Sequence, residues 1–281
     1  MRGVMTVVCH AWRSWKNGKA VALFAIVALA VGIGSTTAIY TVVHGVMLAP
    51  LPYAEGERFV ALYGARFSEP NQYSAHSWPD LLEYQRRTTS FDVFGWFRFG
   101  FFNLTFKGEP HHVTGAAVTP SLARGVGVSP IVGQWFTDDS GVVLSDSLWR
   151  RLGSDRNIVG QGLTLDGRRL TVTGVMPPRF RLPLPGPGGE GLNSEVWTAL
   201  DPSGRGQGRE GLNFAYARRK PGVTLARADA DAKRAAAEIT KLDPAAHASY
   251  TARVEDLRES GITTIRPTLL LLFTEIGRAH V

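Results

Sequence analysis

The longest apolar stretch of the sequence lies near the N-terminus, where no Lys, Arg, Asp or Glu occurs between positions 20 and 54. Its core, residues 20–43, would form a helix of about 36 Å, enough to cross a hydrocarbon layer of about 30 Å. A cleaved signal peptide is the alternative, but its apolar region is normally only about 7–15 residues long. The pattern therefore predicts a permanent transmembrane helix over residues 20–47.

The charges on either side of this segment predict its orientation. Basic residues precede it, and the first acidic residue, Glu55, follows it. Because positive charge is retained on the cytoplasmic side, the N-terminus is predicted to be cytoplasmic and the chain beyond about Leu48 to lie outside. Trp12 and Trp15 predict that residues 1–19 form an interfacial segment on the inner leaflet. The preceding basic residues are Arg2, Arg13, Lys16 and Lys19.

Three small residues inside the apolar segment, Ala28, Gly32 and Thr36, are spaced four apart and would share one helix face. Small side chains at this spacing let a second membrane helix approach closely, which makes them candidate helix-packing residues. The alternative is that small residues are simply common in membrane helices. Both interpretations stay open at this point.

Beyond residue 48 the apolar positions form short patterns that are typical of strands. The stretch Ala49–Tyr53 contains two prolines, which end the helix. The aromatic-rich stretch Phe91–Phe106 predicts strands packed on a core, interrupted at Gly95 and Gly100. Further strands are predicted over residues 57–64, 113–118, 142–145, 163–165, 168–172, 172–176, 196–200 and 213–218.

Two longer helices are predicted from their first residues. Ser77 can cap a helix that has Asp80 in its first turn and continues to about Arg87. Thr224 caps a second helix, whose apolar positions recur at helical spacing. Those positions are Leu225, Ala228, Ala232, Ala235, Ile239 and Leu242. Shorter helices are predicted over residues 122–125 and 146–152.

A hairpin turn helps to decide the fold class. Asp166-Gly167 separates two β-rich runs, and this pair suits the positive φ angles of a type I′ turn. Because hairpins and helices are mixed along the chain, an α+β domain is favoured over a doubly wound parallel sheet.

Composition restricts the functional classes. The net charge is +7 and the pI about 9.8, but the positive charge is spread out, and Arg218–Lys220 is its densest cluster. Nucleic-acid binding is therefore disfavoured, and a solvated face is the preferred interpretation of that cluster. Cys9 is the only cysteine, so no intramolecular disulfide can form.

The sequence carries no assembled catalytic signal. His111 and His112 would point to opposite faces of a strand and so cannot readily share a metal ion. Asp138-Asp139 is typical of a turn or helix cap, and Ser145 lacks the flanking glycines of a nucleophile elbow. The Pro/Gly loop at residues 182–192 lacks a phosphate-binding pattern. We expect no enzymatic activity, cofactor or metal.

Many short motifs, in order, resemble MacB/FtsX-type ABC transporter permeases, and most of all the orphan permeases abundant in Acidobacteria. Residues 28–34, 37–40 and 48–53 resemble the first membrane helix of such proteins. The motifs that resemble their periplasmic core domain are Val118–Pro120, Gly125–Phe136, Val143–Arg151, Ile158–Gly160, Leu165–Gly167, Val172–Pro178 with Phe180, Val196-Trp197 and Arg218–Val223.

The resemblance implies a protein of the bacterial inner membrane with a MacB-like periplasmic core domain over residues 48–264. It also implies a mechanical role, in which a cytoplasmic ATPase on another chain drives motion of the periplasmic domain during export or envelope processes. The implied partners are this ATPase, a second permease copy or duplicated half, a periplasmic adaptor and the lipid bilayer. The alternatives are a single-span binding or sensor module that recruits a partner protein, and a membrane-anchored hydrolase, for which no motif is present.

The C-terminal residues depart from that family pattern. Residues 265–275 resemble the opening of a second membrane helix, but the apolar run is too short to cross a bilayer. Residues 276–281 resemble the translation of a sequencing-adapter oligonucleotide. We therefore expect a non-native tail over 276–281 and a native gene that continues beyond it.

Overall fold

The computed structural model describes residues 19–43, 53–69, 73–182, 194–200 and 213–257. The chain divides into two compact units, one of residues 1–49 with 265–281 and the other of residues 50–264. The predictions for residues 1–18, 183–193 and 265–281 lie outside the described residues. The predicted division of the chain into segments at residues 19, 47, 264 and 275 stays a prediction.

In the first unit, helix α1 runs over Lys19–Val43. Over the residues that the structure describes, no helix is long and apolar enough to cross a membrane. The transmembrane role predicted for residues 20–47 is thus not shown and stays a prediction. Within α1, Ala28 is exposed and Gly32 is buried, whereas the side chain of Thr36 lies outside the described part. Their predicted role in helix packing is not tested.

The second unit is built on one mixed sheet of eleven described strands, which confirms the prediction of an α+β domain. The sheet order is β11-β1-β10-β3-β4-β9-β6-β8-β5, with β2 beside β1 and β7 bridging β3 and β8. Neighbours are antiparallel except for the parallel pairs β4–β9 and β6–β8. The strands are β1 Phe59–Arg66, β2 Tyr73–Ser74, β3 Phe91–Phe106, β4 Glu109–Val118, β5 Val132–Gly133, β6 Gly141–Leu144, β7 Gly162–Leu165, β8 Arg168–Val175, β9 Val196–Ala199, β10 Phe214–Arg219 and β11 Tyr250–Asp256.

Five described helices belong to this unit: α2 Trp78–Arg87, α3 Pro120–Gly125, α4 Asp146–Arg151, α5 Leu225–Leu242 and α6 Pro244–His247. The predicted caps are confirmed, since Ser77 accepts a hydrogen bond from the Asp80 amide and Thr224 accepts one from the Arg227 amide. Helices α2 and α5 pack on one face of β1, β10 and β11, where Leu81 and Ile239 are buried in a shared apolar cluster. The predicted apolar position Leu242 is 62% exposed, so that assignment was wrong.

Strand β3 is one continuous strand of 16 residues, and the predicted interruptions at Gly95 and Gly100 were wrong. Gly95 instead allows helix α3 to approach the strand. A Cβ atom at that position would lie 2.3 Å from Thr119 Oγ1 and 2.6 Å from Leu122 Cβ. The first part of β3 pairs with β10 and the last part with β7, so a single strand links both parts of the sheet.

Six strands close into a ring, because β3 pairs with β4, β4 with β9, β9 with β6, β6 with β8, β8 with β7, and β7 again with β3. Each strand of such a ring directs alternate side chains inward. Buried aliphatic residues fill this region, among them Leu104, Leu144, Leu148, Ile158 and Val172. The ring is therefore a packed core of its own, joined to β10 through β3 and to β5 through β8.

Candidate functional site: the entry–exit junction

The chain enters and leaves the described part of the second unit at neighbouring positions. Tyr53 is the first described residue of this unit and Leu257 the last. Strand β1 begins just after the entry and β11 ends just before the exit, and the two strands are antiparallel with Val60 opposite Asp256. We call residues 53–59 and 254–257, together with the side chains that hold them, the entry–exit junction.

Apolar packing fixes both chain ends. Tyr53 is 7% exposed and Leu257 2% exposed, and both belong to one buried cluster with Phe59. The rings of Tyr53 and Phe59 lie 5.8 Å apart, and the Tyr53 hydroxyl donates a hydrogen bond of 2.5 Å to the carbonyl of Arg181. Burial raises the pKa of the Tyr53 phenol far above its ordinary value, so this donor stays protonated.

The entering backbone forms a tight turn directly after Tyr53. Glu55 has a positive φ of 55°, the Gly56 amide donates to the Tyr53 carbonyl at 3.2 Å, and the Arg58 amide donates to the Glu55 carbonyl at 2.9 Å. The Ala54 amide donates to the Val126 carbonyl at 3.3 Å, which ties the turn to the segment after α3. Because its amides are satisfied within the fold, the turn has little freedom to move alone.

A charged network covers this turn. The guanidinium of Arg58, whose side chain is 14% exposed, forms salt bridges with Glu55 and Asp92. Arg218 adds a second cation, 2.8 Å from Asp92 and 3.5 Å from Glu55. Burial alone would raise the pKa of Asp92, but hydrogen bonds from Arg218 and Arg58 outweigh it and lower that pKa below its ordinary value. The network therefore stays charged at neutral pH and joins the entry turn to β3 and β10.

Two further arginine contacts reach the backbone. Arg58 Nε donates to the Arg219 carbonyl at 2.7 Å. Arg219 donates to the Glu57 carbonyl at 2.9 Å and to the Val223 carbonyl at 2.6 Å. The cluster Arg218–Lys220 was predicted to be a solvated face, yet Arg218 and Arg219 bind the entry turn. No local sequence signal distinguishes these arginines, because their partners on β3 and in the entry turn lie more than 100 positions away in the chain.

The other residues considered in the sequence stay apart. His111 is half-buried and His112 exposed on β4, as their strand position predicts. Asp138 lies in a turn and accepts hydrogen bonds from Ser140, and Ser145 caps α4. Among the described residues, no three His, Cys, Asp or Glu side chains converge in a way that could hold a metal ion.

The fold matches one class of protein, the extracytoplasmic domains of bacterial permeases. The MacB-like periplasmic core domain family model matches residues 22–235. The chain therefore belongs to the family of permeases that carry this domain. None of the curated protein sequences compared with the chain matches it.

Solved structures agree with this assignment at the level of the fold. A domain of a protein assigned as a permease, from Porphyromonas gingivalis, has a TM-score of 0.56 at 16% identity and covers 73% of this chain and 92% of its own. The periplasmic region of MacB from Actinobacillus actinomycetemcomitans has a TM-score of 0.53 at 12% identity and covers 76% and 93%. The extracellular domain of the ABC-type transporter YknZ from Gram-positive bacteria has a TM-score of 0.50 at 13% identity and covers 69% and 98%.

Proposed function

We propose that the chain is part of an ABC transporter permease subunit in which the entry–exit junction passes movement between the membrane and the periplasmic domain. Helix α1 anchors the chain in the bacterial inner membrane, with the N-terminus cytoplasmic and the second unit in the periplasm. An ATPase on a separate chain supplies the energy in the cytoplasm. The observation that carries the proposal is the pairing of β1 with β11 at the entry–exit junction, together with the ion pairs that hold the entry turn to β3 and β10.

The strand pairing explains why movement at this point would reach the whole domain. Strand β1 lies between β11 and β10, and its register with β11 continues from Val60 opposite Asp256 to Arg66 opposite Tyr250. A displacement of either chain end is therefore carried into a central strand through a complete ladder, and not into a loose surface loop. The salt bridges of Arg58 and Arg218 to Asp92 connect the same point to β3.

The surface of α1 supports the anchor. The helix has 25 residues, and at 1.5 Å per residue it is about 37 Å long. Its large apolar side chains are between 51% and 77% exposed; they are Val21, Leu23, Phe24, Ile26, Val27, Leu29, Val31 and Ile33. Exposed apolar surface on this scale needs a partner or a bilayer to cover it. Ala28, Gly32 and Thr36, spaced four apart in the sequence, are the candidate positions for close approach of another membrane helix, either of a second permease copy or of a duplicated half.

A binding or sensor module that recruits a partner protein is the second candidate function. It is favoured by a polar cavity between α2, α5 and α6, which mechanical coupling alone would not require. The coupling function requires an ATPase that supplies energy and a periplasmic adaptor that receives the movement. The sensor function requires neither. A sensor would respond to its ligand without nucleotide hydrolysis.

The test uses the complete permease with its ATPase in lipid nanodiscs. A spin label at Phe101→Cys, on a side chain that is 84% exposed, reports the distance between the domains of two permease copies, after Cys9 is replaced by serine. ATP should change this distance in the parent protein. Arg58→Ala should retain ATP hydrolysis but lose most of the movement, because the entry turn loses the direct Arg58–Asp92 ion pair to β3 and keeps only the longer Arg218–Glu55 contact of 3.5 Å.

The matched control is Arg168→Ala, on strand β8 of the six-stranded ring. It removes an ion pair with Asp139, and the side chains of Arg168 and Asp139 are 64% and 61% exposed. It should change neither hydrolysis nor movement. Unchanged movement in Arg58→Ala, or an equal loss in both variants, would contradict the role of the junction. A change in the distance between the labels that occurs on addition of a ligand, but not on addition of ATP, would favour the sensor function.

A further inference from the structure

A cavity of about 280 Å³ lies between α2, the C-terminal half of α5, α6 and the ends of β1 and β11. Its walls include His76, Asp80, Tyr84, His247 and Tyr250. None of these side chains belongs to the entry–exit junction. Because proteins rarely gather this many ionisable and hydroxyl groups in a cleft without a use for them, the cavity is a candidate binding site.

His76 lines this cavity and carries a buried hydrogen-bond acceptor without a partner. The residue is 6% exposed, and its backbone is held by reciprocal hydrogen bonds with Asn213. The ring hydrogen-bonds the carbonyl of Leu62, while Nε2 is buried and has no partner. Burial lowers the pKa of His76 to about 4, against the opposing charge of Asp80, so the ring is neutral at pH 7. A neutral imidazole that donates through one nitrogen accepts through the other.

Asp80 adds a negative charge to the same wall. Its Oδ2 accepts a hydrogen bond of 2.6 Å from the Ser77 hydroxyl, and its Oδ1 lies 3.2 Å from His247 Nε2. A carboxylate has about four lone-pair sites, so acceptor capacity remains after these two contacts. Among the described residues that line the cavity there is no Lys or Arg. The wall therefore combines a carboxylate, a free imidazole nitrogen and hydroxyl groups, which is a surface rich in acceptors.

We propose that this cavity binds a small molecule that carries a primary ammonium group. An ammonium has three donors and no acceptor, which suits Asp80 and His76 Nε2 together. An anion would meet no fixed cation in the cavity wall. The volume is near the lower end of about 300 Å³ for ligand pockets, so the ligand has only a few carbon atoms beside its ammonium. This inference goes beyond the coupling function and does not rest on it.

The experiment titrates three probes of nearly equal size, butylammonium, butanol and butyrate, into the whole chain in a non-ionic detergent near pH 7.5. Histidine is labelled with ¹⁵N, and the His76 signals are assigned with His76→Gln. Butylammonium should move the Nε2 resonance of His76 saturably, because that nitrogen becomes a hydrogen-bond acceptor. Butanol should act far more weakly and butyrate not at all. The three probes are compared on the parent protein, so their order does not depend on the folding of a variant with an altered binding contact.

Asp80→Asn then tests the charged contact. It should weaken butylammonium binding roughly 10- to 100-fold, since a hydrogen bond to a charged group contributes about 1.5–3 kcal/mol. Asp146→Asn is the matched control, because Asp146 also follows a capping serine in the first turn of a helix but does not line the cavity. The signals of His111 and His112 report whether each variant is folded.

Three outcomes would overturn the proposal. The first is that butyrate binds with an affinity equal to that of butylammonium. The second is that Zn²⁺ alone saturates the His76 signal at a lower concentration than the amine does. The third is that the His76 signal shows no saturable shift at any amine concentration at which the chain stays folded. Undiminished binding by Asp80→Asn would contradict the assigned contact as well. None of these results bears on the ATP-driven movement of the domains, so the two proposals fail separately.

Discussion

The buried histidine gives the domain a specific dependence of stability on pH. His76 is neutral in the folded state because burial lowers its pKa from 6.5 to about 4. Between these two values the unfolded chain binds more protons than the folded chain, so stability rises with pH across this window. The penalty is absent well above pH 6.5, grows as the pH falls, and is complete near pH 4.

The magnitude follows from the shift in pKa. A difference of about 2.5 pH units, at 1.36 kcal/mol each, corresponds to about 3 kcal/mol of unfolding free energy lost between pH 7 and pH 4. His76→Gln keeps a donor for the Leu62 carbonyl but does not titrate. It should therefore lack this contribution. Carboxylates with lowered pKa, such as Asp92 and Asp231, lose their stabilising contribution below about pH 5 in both proteins, so this loss cancels in the difference between them.

The assay is urea unfolding of the whole chain in detergent at a series of pH values from 4 to 8, followed by tryptophan fluorescence. The difference in unfolding free energy between the parent and His76→Gln should change by about 3 kcal/mol between pH 7 and pH 4 in favour of the variant. A constant difference across the window would refute the burial argument. A parent that gains stability on acidification would show that His76 carries a proton in the fold.

Three further predictions concern stability in the same unfolding assay. Arg58→Ala should lose about 1–3 kcal/mol, because it removes the donor to the Arg219 carbonyl and leaves Asp92 with Arg218 as its one remaining ion-pair partner in the network, whereas Arg168→Ala should lose less than about 1 kcal/mol; equal losses would contradict the importance of the network. Gly95→Ala should lose about 1–3 kcal/mol, since its Cβ would meet Thr119 and Leu122, while Gly100→Ala, whose Cβ would lie 3.4 Å from the Phe102 ring, should change little; a neutral Gly95→Ala would mean that α3 can shift freely. Thr224→Ala should lose about 1 kcal/mol, because the Arg227 amide loses its capping oxygen, and Thr224→Ser should restore most of it; a loss that serine fails to restore would rule out capping as the cause.

Features set by neighbouring residues could be predicted from the sequence. Helix α2 begins after its capping Ser77 as predicted, and the hairpin turn at Asp166-Gly167 has φ angles of 46° and 79° as that residue pair requires. Helix α5 was also predicted from its capping Thr224 to Leu242, because its alanines recur at helical spacing. These signals are local, so they remain readable without knowledge of the tertiary structure.

Features set by distant pairing could not be predicted. Strand β11 was missed, since Tyr250–Asp256 has a mixed pattern and becomes a strand by pairing with β1 almost 200 positions earlier. The continuity of β3 was missed because Gly95 breaks the local pattern while serving the close approach of α3. The candidate site depends wholly on such contacts, since Arg58, Asp92 and Arg218 meet only after β1, β3 and β10 have paired.

The most direct test of the account asks on which side of the membrane the second unit lies and whether it is held there. A cysteine at the exposed Phe101, in a chain with Cys9 replaced by serine, is treated with a membrane-impermeant maleimide in intact spheroplasts of an expressing bacterium. We predict that the cysteine is fully labelled before the spheroplasts are lysed. We also predict that the labelled protein stays in the membrane fraction after a high-salt wash. Labelling only after lysis, or release of the labelled chain from the membrane, would contradict an anchored periplasmic domain of a permease.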